Sequence, residues 1–257
     1  MTDAIYKLGK LAPKRLLGLP DSKKYTAALS PPPVSADYSK NLKHLGPMLN
    51  REIGCCTIAG VGHTIQTWTS FTQPAEVILP DSEILSLYSL LSGYVPGDPE
   101  TDSGCAATDV LRYWYSNPIM GHKLSAFASV KPGNRLDVKN SIFLFGVCYV
   151  GVQLPLTAQN GPWDVAPGAS TLTGDSAAGS WGGHLIPVIA YDEDELTCIT
   201  WGMLKTLSWK FWDSYCDESY CMFGPDWIEK DEKSPSGFAT AALLSDVQAI
   251  KQDAARR

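Results

Sequence analysis

The sequence predicts an α+β fold in which a mainly helical half is followed by a mainly β half. Between residues 50 and 120, apolar and small residues recur at helical spacing, most clearly over residues 57–68. From residue 122 onward, short alternating or valine-rich segments are separated by turn residues, as strands are. The 257 residues suffice for one large domain with a buried core.

Each predicted element has its own signal. A buried helix begins near Cys56, and the next has an acidic first turn with Asp81 and Glu83. The predicted helices cover residues 57–68, 82–91, 108–115 and, briefly, 136–144. The predicted strands cover residues 122–130, 146–154, 184–191 and 196–201, the last two joined by an acidic turn. We expect core or sheet-covering aromatics at Trp209, Phe211, Trp212 and Tyr215, and a long loop over residues 160–183.

The N-terminal residues 1–30 form a separate arm in this interpretation. They hold six basic and two acidic residues, so we expect a solvated arm wrapping the domain, with a partner-binding or pro-segment-like arm as the alternative. The run Pro31-Pro32-Pro33 marks the entry to the fold. Residues 31–257 are then one domain, with a helical half over about 47–124 and a β-rich half made of 31–46 and 125–257.

Composition and charge argue against several classes of protein. The net charge of −6 is unfavourable for nucleic-acid binding. The longest apolar run, residues 142–152, is shorter than the roughly 20 residues that span a bilayer. The N-terminus shows no secretory signal, and the seven cysteines lack the spacing of a disulfide scaffold. We therefore expect a cytoplasmic protein with mostly reduced thiols that binds neither nucleic acid nor membrane.

Two residues carry the candidate chemistry. Cys56 opens a predicted helix, where unpaired N–H groups and the helix dipole favour a thiolate. His184 follows Gly182 and Gly183, which let a peptide approach closely, and it opens an apolar strand. A histidine placed there takes the thiol proton and later returns it to a leaving amine. The pair predicts a nucleophile and its general base.

Short motifs around this pair resemble those of the papain-like cysteine peptidases. Pro33 and the pair Asp37-Tyr38 precede the cysteine, Asn50 lies six residues before it, and the string Thr200-Trp201-Gly202 follows the histidine. The resemblance covers roughly residues 31–223. It is greatest to small phage and bacterial papain-like proteins with a Gly-x-Cys nucleophile motif.

The resemblance implies roles for further residues. Asn50 stands where the family has the glutamine that stabilises the oxyanion, Trp201 shields His184, and Trp181, Gly182 and Gly183 form a wall of the substrate cleft. Ile199 stands where the family has the asparagine that orients the histidine. Because neighbouring strand residues face opposite sides, we expect Thr200 to point away from His184. A Cys–His dyad, with a backbone carbonyl or water orienting the ring, is therefore predicted.

The resemblance implies a peptide or protein substrate and no metal or organic cofactor. Two alternatives remain open: a weak or inactive relative with a binding or structural role, for example in a phage particle, and an acyltransferase that uses the same dyad. In the phage case the protein would be virion-associated. Cys55 is interpreted as structural or redox-sensitive, and His63 as a core or groove histidine. The natural substrate and the oligomeric state stay open.

Overall fold

The computed structural model describes residues 6–14, 31–165, 172–228 and 233–237. Five α-helices lie within these ranges: α1 Cys56–Thr72, α2 Asp81–Ser92, α3 Ala107–Ser116, α4 Arg135–Phe145 and α5 Trp209–Tyr215. Seven strands accompany them: β1 Ala36–Asp37, β2 Ala126–Val130, β3 Cys148–Leu154, β4 Gly182–Tyr191, β5 Glu195–Thr200, β6 Met203–Ser208 and β7 Cys216–Phe223. The predicted α+β class is confirmed.

The strands form one antiparallel sheet in the order β2-β7-β3-β4-β5-β6, and β1 pairs with the end of β4. Strand β3 is buried along nearly its whole length and pairs with β4 on one side and β7 on the other. His184 lies opposite Val152 in the β3–β4 ladder. The sheet thus fixes the histidine in the interior of the molecule.

Helix α1 packs directly against β4 and is buried from Cys56 through Thr69. Glycine permits this close approach, because a Cβ on Gly60 would lie 2.5 Å from a methyl carbon of Leu185. Three threonines in the helix, Thr64, Thr67 and Thr69, donate to backbone carbonyls four residues earlier. Their hydroxyls therefore need no water, and a partly polar helix can lie in the core.

Most predicted elements are present, with helix bounds that extend slightly beyond the predicted ones. The strand expected over residues 122–130 begins only at Ala126, because Ile119 and His122 first close a small turn through their backbone. Strands β1, β6 and β7 were not predicted. Half-exposed polar residues break the apolar pattern of β6, and Asp217 and Glu218 interrupt that of β7. Within the described ranges, no helix has the length and apolar character that crossing a membrane requires.

Candidate active site

Cys56 is the first residue of α1, and its side chain is almost completely buried. Burial raises the pKa of the Cys56 thiol to about 11, although backbone N–H groups of Leu185, Gly9 and Thr57 and the charge of Lys10 act in the opposite direction. The expected lowering of this pKa is therefore wrong for the described state. The helix start does favour the thiolate, but the loss of solvent outweighs it.

The start of β4, which carries His184, passes close to this cysteine, because the backbone N–H of the next residue, Leu185, points at the Cys56 sulfur. The imidazole is fully buried, and burial lowers its pKa to about 3, so the ring is neutral at physiological pH. Its Nδ1 has no hydrogen-bond partner among the described residues. The described groups are thus a neutral thiol and a neutral imidazole, and no hydrogen bond joins the two.

The other ring nitrogen of His184 is held by Thr200. The Nε2 atom lies 2.8 Å from the Thr200 Oγ1 atom, and both groups are buried. The expectation that Thr200 points away from His184 is wrong. Neighbouring strand residues do face opposite sides of the sheet. The family spacing predicted that residue 199 faces His184, whereas Thr200 does. Ile199 is instead a buried core residue.

Trp201 covers the imidazole as the resemblance implied. Its ring stacks on that of His184 with the centroids 4.4 Å apart and the planes 13° from parallel. Trp201 and Gly202 both have positive φ, of 48° and 78°, as the two-residue hairpin between β5 and β6 requires. The Arg51 side chain donates to the Trp201 carbonyl at 2.9 Å and holds this turn against the loop before α1.

Asn50 lines the same small cavity as Cys56, Thr200 and Trp201. Its amide Nδ2 donates to the Ile53 carbonyl at 3.3 Å and to the Lys7 carbonyl at 3.4 Å. The amide therefore points N–H groups toward the space where residue 7 of the N-terminal arm lies. This position is compatible with the oxyanion role that the resemblance implied.

Residues 6–10 of the N-terminal arm lie in the cleft, whereas residues 11–14 are exposed. Gly9 passes so close to the loop before α1 that a Cβ on Gly9 would lie 1.7 Å from the Gly54 carbonyl oxygen. Its own carbonyl accepts from the Cys105 N–H at 2.8 Å, and the Leu11 N–H donates to the Cys105 carbonyl at 3.0 Å. The segment thus runs like an added strand along the helical half.

The residues predicted as a cleft wall contact this same segment. Tyr6 packs against Trp181 and Trp201. The next residues of the arm continue these contacts. The Trp201 Nε1 atom donates to the Lys7 carbonyl at 3.0 Å, and Leu8 lies against Gly182. The Lys10 N–H donates to the Gly183 carbonyl at 3.1 Å. Residues 6–10 therefore fill the cleft. They contact Gly54 and Cys105 on one side of it and Gly183 and Trp201 on the other.

The remaining candidates, Cys55 and His63, have partners of their own, although His63 also lines the small cavity that Cys56 and Asn50 line. The Cys55 thiol is buried, contacts the Met48 carbonyl, and has a pKa well above its ordinary value because of burial. His63 is buried with its Nδ1 atom 3.0 Å from the Gln66 side chain, and burial lowers its pKa to about 4. All seven cysteines are free. Across the described ranges, no three His, Cys, Asp or Glu side chains gather in a way that would hold a metal ion.

Sequence reasoning missed Thr200 and an acidic pair, the partly exposed Asp217 and the buried Glu218, that receives the Lys10 side chain. The hydroxyl next to Trp201 was the available signal for Thr200, but family spacing pointed to the adjacent position. The charge excess of residues 1–30 was the only signal for Lys10, and it does not distinguish a buried lysine from an exposed one.

No family model and no curated sequence matches this chain. Its fold, however, is similar to solved structures. Xylellain, a cysteine protease from Xylella fastidiosa, is 14% identical and has a TM-score of 0.59, over 86% of this chain and 96% of its own. ProCathepsin B S9 from Trypanosoma congolense is 11% identical with a TM-score of 0.55, over 86% and 88%.

A third similar structure is the Carica candamarcensis cysteine protease CMS1MS2 in complex with E-64. It is 11% identical and has a TM-score of 0.51, over 74% of this chain and 98% of its own. The chain therefore has the papain-like α+β fold that its motifs predicted.

Proposed function

We propose that this protein is a cysteine peptidase in which Cys56 is the nucleophile and His184 the general base. The observation that carries the proposal is the placement of the two imidazole nitrogens. Nε2 is held by Thr200 beneath the Trp201 ring, whereas the buried Nδ1 has no partner among the described residues. A ring held at one nitrogen and free at the other is arranged for proton transfer.

In the proposed reaction, Nδ1 of His184 accepts the Cys56 proton as the sulfur attacks the carbonyl carbon of a peptide bond. The Asn50 amide and the Cys56 backbone N–H stabilise the oxyanion that forms. The imidazolium then gives its proton to the leaving amine, and a thioester remains on Cys56. Water, deprotonated by the same imidazole, hydrolyses the thioester and restores the thiol.

The position of Thr200 favours an active peptidase over the alternative of an inactive protein with a binding or structural role. The absence of the family's asparagine was the main argument for a purely structural or binding role. A hydroxyl 2.8 Å from the imidazole now supplies the orienting contact that an isoleucine at position 199 lacks. The reaction still requires residues 6–10 to leave the cleft, because the Gly9 N–H is directed at the Cys56 sulfur.

The proposal is tested with E-64, the molecule held by the similar Carica protease. We expect one adduct per chain by intact mass, located at Cys56 by peptide mapping, in wild type or in a Lys10→Ala variant that loosens the arm. Cys56→Ala and His184→Ala should abolish the adduct. Cys198→Ala, which removes another buried thiol, is the matched control and should not. Modification at Cys55, or none in any variant, contradicts the assignment.

A further inference from the structure

Lys10 places its charged side chain between two carboxylates at one end of the cleft. Its ammonium lies 2.9 Å from Asp217 Oδ2 and 3.0 Å from Glu218 Oε1, and it donates to the Leu11 carbonyl at 3.2 Å. The Lys10 side chain is 0% exposed. A buried charge of this kind is stable only with matched partners, so the pocket is built to bind a cation.

Two features of the sheet create this pocket. The pairing of β3 and β7 shifts by one residue next to Gly151, so that Asp217 is an extra residue in a bulge. A bulge redirects side chains, which explains how two consecutive residues, Asp217 and Glu218, converge on one ammonium. Gly151 provides the room, since a Cβ there would lie 2.6 Å from both the Lys10 Cε atom and the Glu218 Cγ atom.

The carboxylates are positioned by residues of the domain, not by the arm. Gln153 donates to Asp217 Oδ2 at 2.7 Å, and the Tyr220 hydroxyl donates to Glu218 Oε2 at 2.6 Å. Neither contact involves Lys10, so the domain itself holds both carboxyl groups in place. We call the site formed by Gly151, Gln153, Asp217 and Glu218 the Lys10 pocket.

We propose that the Lys10 pocket is a subsite that selects a lysine or arginine side chain of the peptide substrate, with Asp217 and Glu218 as specificity-determining residues. This inference rests on the proposed peptidase function. The segment that fills the pocket also places its Lys7 carbonyl at Asn50, so a peptide lying in the same groove reaches both. An apolar side chain would leave two carboxylates without a counterion, and an acidic one would be repelled.

A binding experiment tests the pocket without requiring catalysis. The full chain carrying Cys56→Ala and Lys10→Ala is titrated with a fluorescent peptide of the sequence of residues 6–14, and with the same peptide carrying norleucine in place of the lysine at position 10. We expect the lysine peptide to bind at least roughly tenfold more tightly, since loss of one partner of a buried charge pair is costly. If Lys10→Ala does not fold, Lys10→Met replaces it.

Two sets of variants locate the selectivity. Adding Asp217→Asn with Glu218→Gln, or separately Gly151→Ala, should abolish the difference between the peptides, because the first removes the charges and the second fills the space. Asp213→Asn removes an exposed carboxylate that pairs with Arg135 and is the matched control. Equal binding of the two peptides, or binding of neither, overturns the proposal.

Kinetics with the Lys10→Ala chain separates this inference from the proposed function. We expect kcat/KM for substrates with Lys or Arg at the selected position to exceed that for norleucine at least roughly tenfold, through KM. Turnover without this preference overturns the subsite alone. If no substrate is turned over while the lysine peptide still binds selectively, the peptidase function fails and the pocket remains a binding site.

Discussion

Thr200 Oγ1 lies 2.8 Å from His184 Nε2 and so holds one nitrogen of the imidazole that we propose as the general base. A threonine hydroxyl is shorter than an asparagine side chain, and the structure places it at the last residue of β5. The Trp201-Gly202 turn that follows then folds the indole over the ring. One tight hairpin therefore supplies both the contact that holds the imidazole and the cover that keeps water from it.

Thr200→Val should lower kcat/KM roughly tenfold to a hundredfold, since a buried hydrogen bond to the ring is worth about 1–3 kcal/mol. The effect should fall on kcat, because the hydroxyl touches the histidine and not the substrate. Thr200→Ser keeps the hydroxyl and should retain most of the activity. Equal losses in the serine and valine variants would indicate a packing role instead.

Ile199→Asn gives a second test of which residue orients His184. If position 199 were the vacant place of the family's asparagine, the new amide would preserve or raise kcat/KM. Ile199 is buried in the core, so we expect destabilisation by about 1–3 kcal/mol and no gain in activity. Urea unfolding and steady-state kinetics on the same preparation measure both, and a faster, equally stable variant would contradict the Thr200 assignment.

The sequence was sufficient to predict the fold class and the helix and strand that carry the two candidate residues. Apolar periodicity located α1 and β4, and the predicted chemistry lay on their ends, at Cys56 and His184. Both signals are local: a period of 3.6 or 2 residues and a side chain at an element's start. Strand β7 was not predicted, because its bulge and its two acidic residues interrupt the two-residue period.

The filling of the cleft could not be predicted, because it depends on contacts between distant parts of the chain. Lys10 meets Asp217 across 207 positions in the sequence, and nothing near either residue indicates the other. The predicted lowering of the Cys56 pKa was wrong for the same reason. Its helix position is local information, but the burial that dominates comes from the arm, β4 and the loop around Cys105.

Asn50→Ala should reduce kcat about 10²–10³-fold with a smaller change in KM, if its amide stabilises the oxyanion. The Asn50 amide donates to the Lys7 carbonyl, which lies in the cleft, and to the Ile53 carbonyl of its own loop. Single-turnover rates and thermal unfolding of the same variant separate catalysis from loss of the Ile53 contact. An unchanged kcat would mean that backbone donors alone suffice.

Acid should destabilise the folded protein through its buried histidines. Burial lowers the pKa of His184 to about 3 and that of His63 to about 4, from an ordinary value of 6.5. The unfolded chain therefore binds these protons first. The stabilising contribution is complete above about pH 6.5 and is lost as the pH falls toward the folded-state values, by about 1.4 kcal/mol per pH unit for each histidine.

Urea unfolding across this pH range measures the slope. His184→Gln and His63→Gln should each flatten it, whereas His44→Gln, at an exposed position, is the control for loss of a histidine. A slope that none of these variants changes would assign the acid sensitivity to carboxylates instead.

Lys10→Ala should make Cys56 more reactive. The arm covers the thiol and contributes to the burial that raises its pKa to about 11, so alkylation by iodoacetamide at neutral pH should be slow in the wild-type chain. Without its buried ion pairs the arm loses its strongest anchor, and we expect Cys56 to be alkylated at least roughly tenfold faster, because access of solvent to the thiol outweighs the loss of the Lys10 charge, which by itself lowers the Cys56 pKa. Lys14→Ala removes an exposed ion pair with Asp109 in the same segment and should change little. Peptide mapping of the alkylated chain distinguishes Cys56 from the other thiols, and equal Cys56 rates in wild type and Lys10→Ala would show that Lys10 does not hold the cleft closed.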